Sequence, residues 1–310
     1  MSLILSSAPH SRTGRSTARL MGNVIIALLP CAAAGIYYFG WRAAIVLAVS
    51  TASAVLAEFI WQKCSHKTLT VSDCSAAVTG LLIGLVLSPT SPWWMAMIAS
   101  FFAILVVKQL FGGIGDNFLN PALTARAVLL ASWPAHMTSF PAVGFGADAV
   151  SSATPLATGA ELKELILGNV NGTIGETCKI AILIGFIYLL VTKTISWRIT
   201  LSTLASFFVT AWLLKGSASD ALISLMSGGI LFGAVYMATD YATSPMLSSA
   251  QLVYGVGIGV ITMIIRQFGS YPEGVTYAIL LMNIVAPLLD RYMPHKIYGV
   301  NSKKKEVTAK

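Results

Sequence analysis

Charge is what this 310-residue sequence has least of: Asp, Glu, Lys and Arg make up 10% of it, against about 25% in an ordinary soluble domain. Cysteine is sparse too. Cys31, Cys64, Cys74 and Cys178 are scattered, with no C-x-x-C and no Cys/His cluster. That excludes a disulfide scaffold and argues against a zinc or iron–sulfur site built by this chain alone. No Rossmann glycine fingerprint appears, so a dinucleotide is not expected to bind here directly. What fills the space is apolar: 56% of residues are hydrophobic and mean hydropathy is +0.77. A bilayer span takes about 20 apolar residues as a helix. The expected fold is therefore an all-α polytopic membrane protein, and a cleavable signal is not expected ahead of its first span.

Ten spans are expected, at about 21–39, 43–61, 72–88, 93–111, 117–133, 176–192, 198–214, 220–238, 251–268 and 275–290. The third opens on Ser72-Asp73 and the fifth on Asn117, Asn120 and Pro121. Both read as broken or re-entrant helices, which need protein or water neighbours for their backbone groups. The net charge of +8 sits mainly in tails and at span ends, where it sets topology rather than binding nucleic acid. With the N-terminus inside, Arg12, Arg15, Arg19, Lys63, Lys67, Lys108, Lys193, Arg198, Arg291 and the tail lysines fall on the inner side. Only Arg42, Lys163, Lys179, Lys215 and Arg266 fall outside. Both termini are thus expected in the cytoplasm, and the long loop 134–175 outside.

Short matches suggest an internal repeat. Trp41-Arg42 returns as Trp197-Arg198, Ser72-Asp73 as Ser219-Asp220, and Lys108-Gln109-Leu110 as Arg266-Gln267-Phe268. The expected organisation is a five-helix half at 1–133, a loop at 134–175, and a second five-helix half with a basic tail at 176–310. An odd number of spans per half inverts the second half in the membrane. Inverted repeats place a functional site between the halves, at broken helices.

Several residues are candidates for chemistry. Gly112-Gly113-Ile114-Gly115-Asp116-Asn117 leads into a helix start, where backbone amides can hold an anion or a flavin edge; a tight turn relieved by glycine is the alternative. Arg126 lies well inside a span, where a guanidinium is costly unless paired or hydrated. It is read either as a cofactor or helix-end contact, or as a structural partner of Asp240 or Asp73. Glu58 reads as a snorkelling residue near a span end. Lys108 and Arg266, at equivalent repeat positions, read as symmetric fold elements. By composition, the loop run Asp148-Ala149-Val150-Ser151-Ser152-Ala153-Thr154-Pro155 is a hydroxyl-rich turn.

Longer runs carry a specific resemblance: Ser7-Ala8-Pro9-His10, Lys108–Gly115, Asn117–Ala122, Gly175-Glu176-Thr177, Met237–Tyr241 with Ser244-Pro245, and Gly269–Gly274. Almost end to end, the chain resembles the family containing RnfD of the Rnf complex. That complex is an ion-translocating ferredoxin:NAD oxidoreductase, and the family also contains the corresponding membrane component of the Na⁺-translocating NADH:quinone oxidoreductase. The resemblance implies FMN bound covalently through a phosphoester at Thr154, in an S-G-A-T-type motif where Ser152 replaces the usual glycine. Asp148 and Ser151 are further candidates in the same run. A flavin transferase is implied for maturation, and a second, noncovalent riboflavin with Gly112, Gly113 and Asn117 near it. A functional role for Asp240 is implied as well. Electrons are then expected to pass through this chain to and from other subunits carrying flavin and iron–sulfur centres, coupled to Na⁺ or H⁺ transport in a bacterial cytoplasmic membrane. The rival readings are a component of the quinone-reducing relative and a non-redox channel or secondary transporter.

Overall fold

The computed structural model describes residues 16–141, 151–152, 162–168, 170–269 and 274–293. Its main elements are helices α1 (Thr17–Phe39), α2 (Trp41–Cys64), α3 (Ser75–Val86), α4 (Trp93–Gln109), α5 (Pro121–Ser132), α6 (Pro134–Thr138), α7 (Leu162–Leu167), α8 (Lys179–Val191), α9 (Trp197–Lys215), α10 (Ala218–Met226), α11 (Ile230–Met237), α12 (Ser248–Phe268) and α13 (Val275–Tyr292). Strands β1 (Phe140–Pro141) and β2 (Ser151–Ser152) pair antiparallel. The protein is an all-α polytopic membrane protein, and each expected span has a helical counterpart.

The spans are unequal. Helices α1, α2, α9, α12 and α13 are long and apolar enough to cross a bilayer. Helices α3 and α5 have 12 residues each, about 18 Å at 1.5 Å per residue, against a hydrocarbon core of about 30 Å. Helices α10 and α11 form one broken span, bent by 69°. The second half of α4 and the end of α11 are π-helical, a feature concentrated at functional sites. Local chemistry explains the starts. Ser16 caps α1 through Arg19 N–H at 3.3 Å. Asn120 Oδ1 accepts from Ala122 and Leu123 N–H at 3.0 and 3.2 Å, with Pro121 in the first turn. An asparagine cap followed by proline fits a helix start, because proline lacks only an N–H that has no helical partner there.

Packing relies on small residues rather than on expelled water, as lipid demands. A Cβ at Gly80 would lie 2.7 Å from the Ser50 carbonyl of α2, so α3 and α2 touch backbone to backbone. On α12, Gly255 and Gly259 do the same against the Ile199 and Thr203 carbonyls of α9. The contacts α2–α3, α2–α4 and α4–α5 have counterparts in α9–α10, α9–α12 and α12–α13. Between the two sets, α1 packs on α8 and α5 on α13. Tyr236 of α11 ties the centre together, its hydroxyl donating to Ala27 O of α1 at 3.0 Å. Outward faces carry exposed Leu29, Ile36, Ile187, Leu213 and Ile284, suited to lipid or to partner helices.

Candidate functional site

A cavity of about 80 Å³ lies where α1, α3, α5, α8 and α11 converge. Its polar wall is Ser75 and Thr79 of α3, Lys108 of α4, Asn117 and Asn120 before α5, Thr194 after α8, and Thr239 and Asp240 after α11. The N-termini of two short helices and the C-terminal end of a broken one therefore meet at one chamber. Helix starts carry partial positive charge and ends partial negative charge. Asn120 links two of them: while its oxygen caps α5, its Nδ2 donates to Met237 O at the end of α11, 3.3 Å away.

Charge in the wall is paired. Lys108 Nζ lies 2.8 Å from Glu58 Oε1 and donates to Ser75 Oγ at 2.5 Å. Glu58 Oε1 also accepts from Gln109 Nε2 at 2.8 Å. The pair is buried, with side chains 4% and 1% exposed. This corrects the snorkelling expectation for Glu58: it faces inward because Lys108 and Gln109 reach it there. Arg266, which the short sequence matches set against Lys108, donates to Ser224 O of α10 at 2.7 Å. Each cation thus braces the short helix of its own set.

Asp240 is turned onto its own loop, accepting from Ala242 N–H at 3.3 Å and the Thr243 hydroxyl at 3.2 Å. Burial pushes its carboxyl above the usual carboxylate range, and those two donors pull the other way. The neighbouring Tyr241 hydroxyl is pushed up to about 12 by burial, with the Asp240 charge adding to the effect.

Arg126 does not reach this chamber. It lies 3.2 Å from Glu176 Oε1, in a second buried pair with side chains 7% and 4% exposed. The expected partners Asp240 and Asp73 are engaged elsewhere, Asp73 accepting from Ser75 N–H at 2.9 Å in the turn that leads into α3. Lys179 joins this second cluster, donating to Glu176 O and to Gly228 O at the break between α10 and α11.

The structure thus brings Asn117 and Asp240 into one wall and leaves Gly112 and Gly113 outside it. Gly112 N–H donates to Gln109 O and Gly113 N–H to Lys108 O, at 3.2 and 3.1 Å. Both glycines have positive φ, 127° and 118°, so they form the turn closing α4 and their amides are committed to its carbonyls. Asn120, Ser75 and Glu176 were not among the candidates read from the sequence. Asn120 carried a signal in its position before Pro121, and Glu176 in the run Gly175-Glu176-Thr177; Ser75 carried none. Asp148 and Thr154 lie outside the described residues. Ser151 is seen only as backbone, in β2 opposite Pro141.

A model of the NQR2, RnfD, RnfE family matches residues 4–299. The RnfD-type component of the Na⁺-translocating ferredoxin:NAD⁺ oxidoreductase complex of Acetobacterium woodii is 47% identical over 319 residues, covering 100% of this chain and 99% of that protein. Its counterpart in the proton-translocating ferredoxin:NAD⁺ oxidoreductase complex of Clostridium ljungdahlii is 38% identical over 95% of this chain and 96% of its own length. The corresponding component of an ion-translocating oxidoreductase complex from Shewanella amazonensis is 36% identical over 96% and 99%.

Proposed function

Because the chain belongs to the NQR2, RnfD, RnfE family, we propose that it is the membrane subunit of an ion-pumping ferredoxin:NAD⁺ oxidoreductase, relaying electrons through FMN held covalently on Thr154 and coupling them to Na⁺ or H⁺ movement. The observation that carries this reading is end-to-end identity of 47% with a protein named for that complex. Relatives named for sodium and for protons both match over nearly the whole chain, and the proposal accordingly takes in either ion.

The residues present fit a flavin at the outer loop. The run offers Ser151, Ser152 and Thr154 as hydroxyls. Beside the ladder, Ser88 Oγ donates to Ser139 O at 2.7 Å and Thr90 Oγ1 at 3.2 Å, pinning the chain just before β1. In the same turn the Ser91 hydroxyl is buried and finds no hydrogen-bond partner among the described residues. When bound, FMN supplies one- and two-electron transfer, and the protein supplies position and electrostatics. Thr154 would supply the hydroxyl oxygen to which the FMN phosphate is joined.

A second, free flavin would look to the inner chamber, where Asn117, Asn120, Lys108 and Ser75 present polar groups. At about 80 Å³ the chamber is smaller than the roughly 150 Å³ that takes benzene. It admits water or a ring edge as it stands, and seating a whole isoalloxazine requires its walls to part.

One flavin at the outer face does not bridge a core about 30 Å thick, so partner subunits with their own centres complete the path. Ion coupling is assigned to movement of the two five-helix sets, related as inverted repeats, about the chamber. A cysteine cross-link between α1 and α8, which pack together, should stop ion pumping; undiminished pumping would count against this coupling. The electron-relay reading is tested by Thr154→Ala. The wild-type band should fluoresce under ultraviolet light after denaturing electrophoresis and the variant band should be dark. A wild-type band without flavin fluorescence would leave the non-redox transporter reading in its place.

A further inference from the structure

We infer that the exposed face of α2 holds the acyl chain of an anionic phospholipid, with the lipid phosphate on Lys63. An open groove of about 630 Å³ runs along this face. Ala48, Thr51, Ala52 and Val55 line its length, and Phe59 lines it one turn before Lys63. Val71, from the turn before α3, lines it at the same end, where Thr70 N–H donates to Gln62 Oε1 at 2.9 Å. The Thr51 hydroxyl is the one polar side-chain group in this lining, and it donates to Leu47 O at 2.8 Å. The groove therefore asks for hydrocarbon and no hydrogen bond. The rest of α2 packs on α1, α3 and α4. Between positions 45 and 59 only Ile45, Ala48, Ala52, Leu56 and Phe59 are exposed, a strip one side chain wide. That width suits an acyl chain rather than a second helix about 10–12 Å across.

Depth and charge name the occupant. Ala48 and Phe59 lie 11 residues apart on α2, about 17 Å at 1.5 Å per residue. That is close to half of a hydrocarbon core about 30 Å thick, the depth of one leaflet. Lys63, a turn further on, then stands at headgroup level. Its Nζ lies 5.8 Å from the centre of the Phe59 ring, at the end of the groove, and it belongs to neither ion pair found among the described residues. His66 and Lys67 are exposed just beyond it. No Asp or Glu occurs between Glu58, buried against Lys108, and Asp73. An apolar groove one leaflet deep thus ends in exposed positive charge, which an anionic headgroup complements. Arg291 makes a similar cation–ring pair with Tyr292, but that ring is 77% exposed and stands as an interfacial anchor.

The full-length chain is purified in detergent, stripped of lipid, and offered phosphatidylglycerol or phosphatidylcholine with the same acyl chains. Native mass spectrometry counts lipid bound per chain for wild type, Lys63→Gln, Ala52→Trp and Arg291→Gln, each at unchanged elution volume. The wild type should retain phosphatidylglycerol severalfold better than phosphatidylcholine. Lys63→Gln removes the charge and should erase that preference; Ala52→Trp fills the groove and should lower retention of both lipids severalfold. Arg291→Gln should behave as wild type. Equal retention of the two lipids by the wild type, or wild-type retention of phosphatidylglycerol by either Lys63→Gln or Ala52→Trp, would overturn the site. A photo-crosslinking benzoylphenylalanine at Ala52, activated in native membranes, separates the occupants: attachment to phospholipid is expected, and attachment to another polypeptide would overturn the lipid assignment.

Discussion

The Lys108 ammonium lies 2.8 Å from the Glu58 carboxylate, both side chains at most 4% exposed, with Ser75 of α3 bonded to the same nitrogen. A buried ion pair offsets the desolvation of its charges only while both partners are present. Glu58→Ala should therefore destabilise the folded protein by about 3–5 kcal/mol, whereas replacing both residues by apolar side chains of similar volume should cost far less. Thermal unfolding in detergent of Glu58→Ala and of the double variant checks this; equal losses in the two would contradict it.

Arg126 and Glu176 form the second pair, 3.2 Å apart. A double-mutant cycle with Arg126→Gln and Glu176→Gln should give a coupling of about 0.5–3 kcal/mol, the range for groups in direct contact. Additivity in the cycle would mean that the two side chains act separately.

Glycine positions separate contact from open space. A Cβ at Gly185 would run into the Ala27 carbonyl and the Tyr236 hydroxyl, whereas one at Gly22 meets nothing within 4 Å. Gly185→Ala should lower the melting temperature by several degrees, through the overpacking that costs about 1–3 kcal/mol in cores. Gly22→Ala should leave it unchanged or raise it slightly, since alanine favours helix. Equal effects at the two sites would contradict the α1–α8 approach.

Asp240 carries a pH signature. Its folded carboxyl titrates above the ordinary value of 3.8, so below that value it is protonated in folded and unfolded chains alike and costs nothing. As pH rises, the unfolded chain ionises first, and the folded state loses stability until pH passes the raised value. Asp240→Asn is neutral throughout. Its melting temperature should therefore gain on the wild type as pH climbs from about 4 towards neutrality. A gap that stays constant with pH would contradict burial as the cause.

Much of the architecture is legible in composition. Runs of about 20 apolar residues announced the spans, and the polar openings at Ser72-Asp73 and Asn117–Pro121 announced the short helices. Pairing across the bundle was less accessible. Lys108 and Glu58 are 50 positions apart, and nothing local to either residue names the other. Arg126 was matched to Asp240 or Asp73 because those carboxylates flank spans. The structure occupies both with nearby backbone N–H groups and gives Arg126 the Glu176 that precedes α8. The π-helical ends of α4 and α11 left no trace in hydrophobic periodicity. At the candidate site, Asn117 and Asp240 were found through sequence runs, whereas their meeting depends on how α5 and α11 end against each other. The glycine run offered both an anion site and a turn, and the amide bonds of Gly112 and Gly113 favour the turn.

Mass spectrometry of the loop peptide containing Thr154, from protein isolated from native membranes, tests the central claim most directly. The electron-relay account predicts a peptide heavier by one FMN residue in phosphoester linkage, with the added mass localised to Thr154 on fragmentation. Recovery of the peptide only in its unmodified form would contradict it.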